Sequence, residues 1–367
     1  MDWHILTAHS KILVQLLIDS KKKSVLVGLS GGVDSAVTAY ILKNEGYDVH
    51  AVTYIISDNQ KASIMDASDI AYMLDIPLYI EDKQEEFKQS IEAYFIDSYI
   101  KGDTPNPCVL CNSTFKFKNL IDKADSLDID YVATGHYANI KYDEHLGCYC
   151  LYKSKNERKD QSYFLYRLSQ QQLSRILLPI SDMNKEEVRR IADKIGLSVK
   201  DKKDSQDICF IKGIDYTDFI KEHKPGTYED SIFTDKQGKI LGKGANQIHF
   251  TPGQRRGLNK GFNQRMYVIG KNAEKNEIVL GDEEYLYSKE LILKDINLIC
   301  YNNLSEPLHV MVKIRNSMIA VSTSVVAVDS GIKVIFDEPV RAAVKGQSAV
   351  FYDNDKVVGG GIIYDCL

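Results

Sequence analysis

One short segment near the start of the sequence limits the possible folds more than any other. The apolar run Ser24–Leu29 leads into Ser30–Ser35 (SGGVDS), and apolar residues then recur at helical spacing as far as Glu45. A buried strand that turns through glycines directly into a helix is the building unit of a parallel sheet. Strand and helix patterns alternate from there to about residue 215. The sequence therefore predicts an α/β domain whose parallel sheet is covered on both faces.

The rest of the chain changes character twice. Residues 216–282 are rich in Gly and Lys and predict a small β-containing module, while residues 283–367 contain short strand patterns that predict a small barrel or sandwich. A chain of 367 residues is long enough for three such domains. We therefore expect boundaries at 1–215, 216–282 and 283–367, with an extra amphipathic helix in residues 1–22. Within the first domain, Asn184 and Glu187 predict a capped helix that ends at Gly196.

Composition restricts the partners and the compartment. The net charge of -5 and pI of about 6.0 disfavour a general polyanion binder, although a local basic cluster still allows contact with nucleic acid. No apolar run approaches the ~18 residues of a membrane span, so we expect a cytoplasmic protein without membrane contact. The seven cysteines are then expected to be mostly reduced, and clustered cysteines become candidates for chemistry. The basic cluster comprises Lys153, Lys155, Arg158, Lys159 and Arg167.

The glycine-rich loop has the features of a phosphate-binding site. Its glycines let the backbone approach an anion closely, and the following helix directs N–H groups and positive dipole toward it. The hydroxyls of Ser30 and Ser35 can donate to phosphate oxygens. Asp34 would repel phosphate unless a cation lies between them, which implies Mg²⁺. The loop is not a Walker A motif, because the characteristic lysine is missing.

Two segments carry cysteines that are candidates for chemistry. Residues 104–112 (TPNPCVLCN) present Cys108 and Cys111 from a loop stiffened by two prolines. About a hundred residues later Cys209 follows Lys202 and Lys203, which could stabilise its thiolate. One Cys-x-x-Cys can be half of a zinc site, but no second pair or close histidine pair completes it. The remaining cysteines are interpreted as small buried apolar residues: Cys148, Cys150, Cys300 and Cys366.

These segments together carry a family resemblance. The loop at 30–35 resembles the PP-loop of ATP pyrophosphatases, which cleave ATP between the α- and β-phosphates and transfer AMP to a substrate oxygen. With the cysteine segments, the sequence from Lys23 onward resembles the tRNA-specific 2-thiouridylase family (MnmA/TrmU). The resemblance implies a PP-loop domain, a central β-containing tRNA-binding domain and a C-terminal β-barrel. Further matching segments are 133–137 (ATGHY), 159–165 (KDQSYFL), 252–258 (PGQRRGL), 336–340 (FDEPV) and 359–363 (GGGII).

The resemblance implies a specific reaction. ATP adenylates the C2 oxygen of a wobble uridine, and sulfur from a cysteine persulfide replaces it, giving 2-thiouridine, AMP and pyrophosphate. Cys209 corresponds to the persulfide-bearing cysteine. Cys111 corresponds to the second catalytic cysteine, which attacks the persulfide and leaves a Cys111–Cys209 disulfide that must be reduced. The implied partners are tRNAs for Lys, Glu and Gln and an upstream protein that donates persulfide sulfur.

The resemblance also assigns binding residues to two groups. The ATP group comprises Gly28, Leu29, Ser30, Gly31, Gly32, Val33, Asp34, Ser35, Tyr54 and Gly135. The tRNA group comprises Asn106, Pro107, Cys108, Lys159, Asp160, Gln161, Arg315 and Asn316.

Departures from the family pattern leave alternatives open. Cys108 stands where many members carry Asp, so three cysteines could surround one site and hold an iron–sulfur cluster instead of passing a persulfide. Asn316 and Ser317 follow Arg315 where an aromatic residue is common. Two other functions compete: a PP-loop enzyme that adenylates a small molecule, and a non-catalytic RNA-binding protein with ATP as a structural ligand.

Overall fold

The structure is a computed structural model that describes residues 22–197, 208–211, 213–258, 261–262, 264–301 and 303–367. The predicted N-terminal helix and the lysines at 202 and 203 lie outside these residues. The chain divides into two compact units. The first contains the chain up to Asp82, Asn119–His136 and the segment that begins at Arg175, and the second contains Lys83–Lys118, Tyr137–Ser174 and the C-terminal part from residue 203 onward.

The strands of the described residues are β1 (Ser24–Gly28), β2 (Asp48–Ile55), β3 (Leu78–Asp82), β4 (Tyr131–Ala133), β5 (Ala138–Asp143), β6 (Cys148–Lys153), β7 (Ile176–Leu177), β8 (Ser231–Thr234), β9 (Ile240–Gly244), β10 (Tyr267–Asn272), β11 (Glu277–Gly281), β12 (Tyr287–Leu298), β13 (Leu308–Lys313), β14 (Val321–Val328), β15 (Gly331–Arg341), β16 (Ser348–Asp353) and β17 (Lys356–Cys366). The α-helices are α1 (Val33–Asn44), α2 (Lys61–Met73), α3 (Gln84–Phe87), α4 (Ala93–Ile100), α5 (Pro107–Leu110), α6 (Phe117–Ser126), α7 (Gln170–Leu173), α8 (Lys185–Lys194) and α9 (Tyr216–His223).

The first unit is built on the predicted parallel sheet. Its strand order is β3-β2-β1-β4-β7, and every neighbouring pair is parallel. The central strand β1 is apolar and almost wholly buried, which is typical of a strand between two helical layers. The predicted capping box of α8 is present: Asn184 and Glu187 exchange side-chain-to-backbone hydrogen bonds, and Gly196 follows the helix with φ +73°. The predicted α/β class is confirmed.

The second unit contains the predicted barrel. Six antiparallel strands in the order β12-β15-β14-β13-β16-β17 close on themselves through the pairing of β12 with β17. Closure removes the exposed sheet edges that an open arrangement would leave. The barrel interior is filled by apolar side chains, with Leu291, Val334 and Phe351 completely buried. A separate four-stranded sheet, β10-β11-β8-β9, has its own core around Phe233 and Val268.

One segment of the region predicted to form the parallel sheet has another role. Strands β5 and β6 form an antiparallel hairpin that extends the barrel sheet, with Val357 of β17 opposite Leu151 of β6. The prediction of continuous strand–helix alternation from 24 to 215 is wrong for this hairpin. Its pairing partner lies about 200 residues further along the chain, so local periodicity does not reveal it. Among the described residues, no helix combines the length and apolarity needed to cross a membrane.

Candidate active site

The glycine-rich loop lies where several predicted ATP residues meet. Gly28 ends β1, Tyr54 lies near the end of the adjacent β2, and Gly135 follows the adjacent β4. The carboxyl ends of neighbouring parallel strands form the usual ligand edge of an open α/β sheet. The structure therefore places these residues at one edge of the sheet in the first unit.

Two glycines in this region allow close packing that a side chain would prevent. Gly31 has φ +67°, and a Cβ there would lie 2.4 Å from the backbone oxygen of Ser63. A Cβ at Gly135 would lie 2.8 Å from the backbone of Asp34 and Ser35. Both distances are too short for real carbon contacts, so the loop backbone depends on glycine at both positions.

Hydroxyl groups and backbone amides line the loop. The Ser30 amide donates to Ser35 Oγ at 3.2 Å, and Ser35 Oγ donates to the Gly32 carbonyl at 3.0 Å. The two serine hydroxyls lie 3.3 Å apart. Helix α1 starts after Gly32 without a side-chain cap, so its first-turn N–H groups are directed toward an incoming anion.

Asp34 has a cationic partner that the sequence analysis did not identify. Lys185 Nζ donates to Asp34 Oδ1 at 2.8 Å, with both side chains largely buried. Lys185 is the first residue of α8, and the capping box at Asn184 fixes where that helix begins. The two residues are 151 positions apart, so no local pattern predicts their contact. In this structure the positive charge beside the Asp34 carboxylate is the ammonium group of Lys185.

Three cysteine thiols approach one another in the second unit. Cys108 lies in α5, and Cys111 begins a π-helical segment, Cys111–Lys116, between α5 and α6. The thiols of Cys108, Cys111 and Cys209 are close enough to interact electrostatically. Cys209 is exposed and Cys111 partly so. Segments separated by about a hundred residues are thus brought together, as the sequence analysis expected.

The surroundings of the thiols control their protonation. Burial raises the pKa of Cys111 to about 12 and also raises the pKa of Cys108. Cys108 reaches solvent at the surface, yet dense packing around its sulfur still disfavours the thiolate. The Lys116 ammonium opposes the effect at both cysteines, and the Lys116 backbone N–H hydrogen-bonds to Cys111. The backbone contact of Lys116 with Cys111 spans five residues, the spacing of the π-helical turn, which helix patterns in a sequence do not predict.

Neighbouring contacts hold both cysteine segments in place. Asn112 Nδ2 donates to the Phe164 carbonyl at 3.2 Å, and Gln172 Nε2 donates to the Ser113 carbonyl at 2.8 Å. Next to Cys209, the Phe210 ring packs edge-on against Phe87 and Phe95, with centroids 5.5 Å away in each case. The exposed thiol of Cys209 is therefore attached to an aromatic anchor.

The other cysteines correct one interpretation. Cys148 and Cys300 are joined by a disulfide, so they are not isolated buried apolar residues. Within the described chain, the cysteines whose sulfurs all lie within 4.8 Å of one another are Cys148, Cys150 and Cys300. Cys108, Cys111 and Cys209 do not form such a compact set, and Cys108 and Cys111 are free thiols.

Known proteins and protein families match the N-terminal, central and C-terminal parts of this chain. Family models match residues 23–213 (tRNA methyl transferase HUP domain), 217–282 (tRNA methyl transferase PRC-barrel domain) and 288–363 (Aminomethyltransferase beta-barrel domain). The tRNA-specific 2-thiouridylase MnmA of Clostridioides difficile (strain 630) is 46% identical over 357 residues, covering 94% of this chain and 99% of the relative. The tRNA-specific 2-thiouridylase MnmA of Acetivibrio thermocellus is 45% identical over 356 residues, covering 93% and 99%.

The chain belongs to the tRNA-specific 2-thiouridylase family. The domain-model descriptions mention methyl transfer, whereas these relatives, matched over nearly their whole length, are named for thiolation. The full-length relatives decide the family.

Residues that the 2-thiouridylase family assigns to tRNA differ in their surroundings. Asp160 is only 7% exposed and accepts hydrogen bonds from the Ser154 amide and from the amide and hydroxyl of Ser162. Gln161 Oε1 accepts from the Tyr137 amide at 3.0 Å. These two residues organise their loop, while the neighbouring Lys159 is partly exposed.

Among the remaining residues of the tRNA group, some are buried or make internal contacts and others are exposed. Arg315 is partly buried and donates to the Ala342 carbonyl, whereas Asn316 is exposed. Asn106 precedes α5 and is partly exposed, and Pro107 is buried at its first position. The 252–258 segment adds two exposed cations, Arg255 and Arg256, that the site prediction left out.

Proposed function

We propose that this protein is an ATP-dependent tRNA-uridine 2-sulfurtransferase that forms 2-thiouridine at the wobble position. The observation that carries the proposal is the grouping of the Cys108, Cys111 and Cys209 thiols in a chain of this family. The named activity of the relatives, tRNA-specific 2-thiouridylation, requires reactive sulfur and an activated uracil. The grouped thiols supply the first, and the loop at 30–35 supplies the site for the second.

The ATP half of the reaction takes place at the loop of the first unit. Backbone amides at the start of α1 and the hydroxyls of Ser30 and Ser35 hold the phosphates. The uracil C2 oxygen attacks the α-phosphorus, the bond to the bridging oxygen breaks, and pyrophosphate leaves. Adenylation converts a poor leaving group into AMP, a good one. Leu29, Gly32 and Val33 contribute backbone to this cradle, with Gly28, Tyr54 and Gly135 beside the nucleotide.

Asp34 is the residue that would hold Mg²⁺ in this site. A carboxylate beside a phosphate cradle is the type of oxygen ligand that Mg²⁺ prefers, and the ion pair of Asp34 with Lys185 supports this proposal. Bound Mg²⁺ would neutralise phosphate charge. Lys185 would then be released from Asp34 or remain as a second positive group facing the phosphates.

The sulfur half of the reaction uses two cysteines. The terminal sulfur of a Cys209 persulfide attacks C2 of the adenylated uridine and AMP departs with the former carbonyl oxygen. The Cys111 thiolate then attacks the inner sulfur of Cys209, and the bond between the two sulfurs breaks with its electron pair remaining on the sulfur now attached to C2. The products are 2-thiouridine and a Cys111–Cys209 disulfide, which a dithiol must reduce before the next cycle.

The raised pKa of Cys111 fits the order of these steps. At neutral pH a thiol with a pKa of about 12 is mostly protonated, which slows premature attack of Cys111 on the persulfide. Lys116 is the group in the second unit that favours its thiolate. Cys108, in the position where many relatives carry a carboxylate, contributes a neutral thiol beside the target base.

Substrate binding requires tRNA contacts on an acidic protein. We assign phosphate contacts to exposed cations of two segments: Arg255 and Arg256 in the central domain, and Lys155 and Arg158 near Lys159. The domains are proposed as 1–215, 216–282 and 283–367, with the central one binding tRNA. The proposed substrates are tRNAs for Lys, Glu and Gln in the cytoplasm, with sulfur delivered by a persulfide-carrying protein.

Anaerobic reconstitution tests this function. The purified chain, ATP, Mg²⁺, unmodified tRNA and a low-molecular-weight persulfide should yield 2-thiouridine on nucleoside mass spectrometry, with one AMP per thiolated base. Iron and acid-labile sulfide are assayed in the same sample. Absence of 2-thiouridine would reject the function, while turnover that depends on a stoichiometric iron–sulfur cluster at Cys108, Cys111 and Cys209 would replace the persulfide relay.

A further inference from the structure

A second group of cysteines lies where the β5–β6 hairpin meets the barrel. Cys148 and Cys150 are two residues apart on β6 and therefore project from the same face of the strand. Cys300 follows the end of β12. Strand β17 brings them together, because it pairs with β6 on one side, and Val358 accepts a hydrogen bond from Ile299 on the other.

The three sulfurs are unusually close. Cys148 and Cys300 form a disulfide with a Cα–Cα distance of 5.8 Å, and Cys150 Sγ lies 3.3 Å from Cys300 Sγ. All three sulfurs lie within 4.8 Å of one another. A disulfide alone needs only two of them. Zn–S bonds of about 2.3 Å in a tetrahedral site separate sulfurs by roughly 3.8 Å, so small side-chain movements would bring the reduced set to that spacing.

The groups around the sulfurs resemble the supporting contacts of a metal site. Gln170 forms two hydrogen bonds with the Tyr149 backbone, each 2.8 Å long, and its Nε2 lies 3.8 Å from Cys300 Sγ. An amide N–H fixed in this way can donate to a thiolate and orient it. Burial raises the pKa of Cys150, while a hydrogen bond from Tyr152 and the charge of Lys356 oppose that change.

The backbone conformation at Cys300 is unusual for a non-glycine residue. Cys300 has φ +65°, a left-handed conformation that non-glycine residues rarely adopt. With this backbone conformation, the Cys300 sulfur lies against the two sulfurs of β6. Such strain is tolerated where the surrounding structure holds the residue for a purpose.

We propose that Cys148, Cys150 and Cys300, when reduced, bind a thiophilic d¹⁰ cation of the Zn²⁺ class, and that the Cys148–Cys300 disulfide is the metal-free oxidised form of the same site. Three thiolates with an open fourth position are a donor set that Zn²⁺ accepts. The site takes no part in sulfur transfer. It joins the hairpin to the barrel across 152 residues of sequence in both redox states.

The conversion between the two forms balances with a disulfide oxidant such as oxidised glutathione. The zinc-bound trithiolate plus the oxidant and three protons give free Zn²⁺, the Cys148–Cys300 disulfide, the Cys150 thiol and two thiols of reduced glutathione. Two electrons pass from the sulfurs of Cys148 and Cys300 to the oxidant. A dithiol reverses the electron transfer, and Zn²⁺ rebinding then displaces three protons.

Metal titration tests the proposal on the full chain. The background variant Cys108→Ser/Cys111→Ser/Cys209→Ser removes competing thiols. After reduction and chelation it is titrated with Zn²⁺, and with Co²⁺ as a spectroscopic probe. We expect about one Zn²⁺ per chain by elemental analysis and sulfur-to-cobalt charge-transfer absorption. Adding Cys150→Ser should reduce bound Zn²⁺ at least tenfold, whereas the matched change Cys366→Ser should leave it unchanged.

Two controls keep the test decisive. Cys150→Ser still allows the Cys148–Cys300 disulfide, so formation of that disulfide on oxidation shows that the variant is folded. Oxidised glutathione should release the bound Zn²⁺ from the background variant with loss of two titratable thiols. Less than a tenth of an equivalent of Zn²⁺ on the background variant, unchanged binding after Cys150→Ser, or Zn²⁺ retained after disulfide formation would each overturn the proposal.

Discussion

The two cysteine groups of the second unit differ in every property that governs sulfur chemistry. Cys111 and Cys209 are at least partly exposed and are supported by a π-helical turn and an aromatic anchor, respectively. Cys148 and Cys300 are covalently linked at the hairpin–barrel junction, beside the fully buried Cys150. Sulfur transfer needs thiols that a bulky substrate can reach, whereas a link between distant strands needs sulfurs that face each other. Accessibility, rather than the presence of sulfur, separates the two roles.

The difference also shows why cysteine count alone is a weak guide. A reducing compartment that kept Cys111 and Cys209 as thiols would also reduce an exposed disulfide. Cys150 completely lacks solvent exposure, and Cys148 is only 9% exposed. Cys300 is partly exposed, so this disulfide is less accessible than the exposed Cys209, which exchanges in every cycle of the proposed relay.

The strongest test of this comparison removes one sulfur from each group. Cys111→Ser and Cys209→Ser should each lower 2-thiouridine formation by more than about 1,000-fold, because each removes a group that forms a bond during turnover. The matched change Cys150→Ser should alter the rate less than about twofold. Nucleoside mass spectrometry of the product tRNA measures both. Full thiolation by either catalytic variant would remove that cysteine from the mechanism.

A second test separates ATP chemistry from both cysteine groups. Asp34→Ala should reduce pyrophosphate release by roughly 100- to 1,000-fold, since a group that stabilises charge at the phosphates is lost. Alkylation of Cys111 and the Cys148–Cys300 disulfide should be unaffected. Normal AMP transfer in this variant would contradict the role given to Asp34. Lys185→Gln measures separately the combined loss of the ion pair and of a positive group near the phosphates.

The Cys148–Cys300 disulfide should contribute measurably to the stability of the fold. Reduction of the Cys148–Cys300 disulfide in metal-free protein should lower the free energy of unfolding by on the order of 3 to 5 kcal/mol, because the link closes a loop of 152 residues. Urea denaturation with and without reductant measures the change. Cys300→Ser should show the lower stability in both conditions; equal stability of the wild type in both conditions would deny the link a structural role.

A smaller effect concerns protonation at the reactive group. With a pKa of about 12, Cys111 should be alkylated about tenfold faster per pH unit between pH 7 and 9, without the plateau of an ordinary thiol. Lys116→Gln removes a cation that lowers this pKa, so alkylation should slow by roughly threefold or more, and Lys116→Arg should restore it. Mass spectrometry of the peptide gives the rates. A plateau near pH 8 would contradict the assigned burial.

The smallest change is expected at the tRNA contacts. Arg255→Gln/Arg256→Gln should weaken tRNA binding and reduce the salt dependence by about one counterion per lost contact. Asn316→Ala, at an exposed uncharged position, is the matched control and should leave the salt slope unchanged. Fluorescence anisotropy at several salt concentrations measures both. An unaltered slope in the arginine variant would assign phosphate binding to other cations.

Local pattern predicted much of the fold and part of the site. The Ser24–Gly28 strand, the glycine loop and the following helix are encoded within about twenty consecutive residues, so their pattern is visible in the sequence. The capping box at Asn184 is likewise local. The grouping of Cys111 with Cys209 came from family resemblance rather than from spacing.

Contacts between distant segments could not be predicted in this way. Lys185 meets Asp34 from 151 residues away, and Cys300 meets Cys148 from 152. The alternation of Cys148 and Cys150 on a strand signals a shared face, but the third sulfur belongs to another part of the chain. The Lys116 contact depends on a π-helical turn, which has no sequence signature as clear as that of a helix cap.

The position of the hairpin on β17 has a consequence for biosynthesis. About 200 residues separate β6 from the strand that it pairs with. At typical translation rates, roughly 10 to 40 seconds pass between the emergence of the two. During that interval one edge of the hairpin has no partner and is exposed to mispairing. Chaperones that shield nascent strands would therefore affect the yield of this enzyme more than its rate.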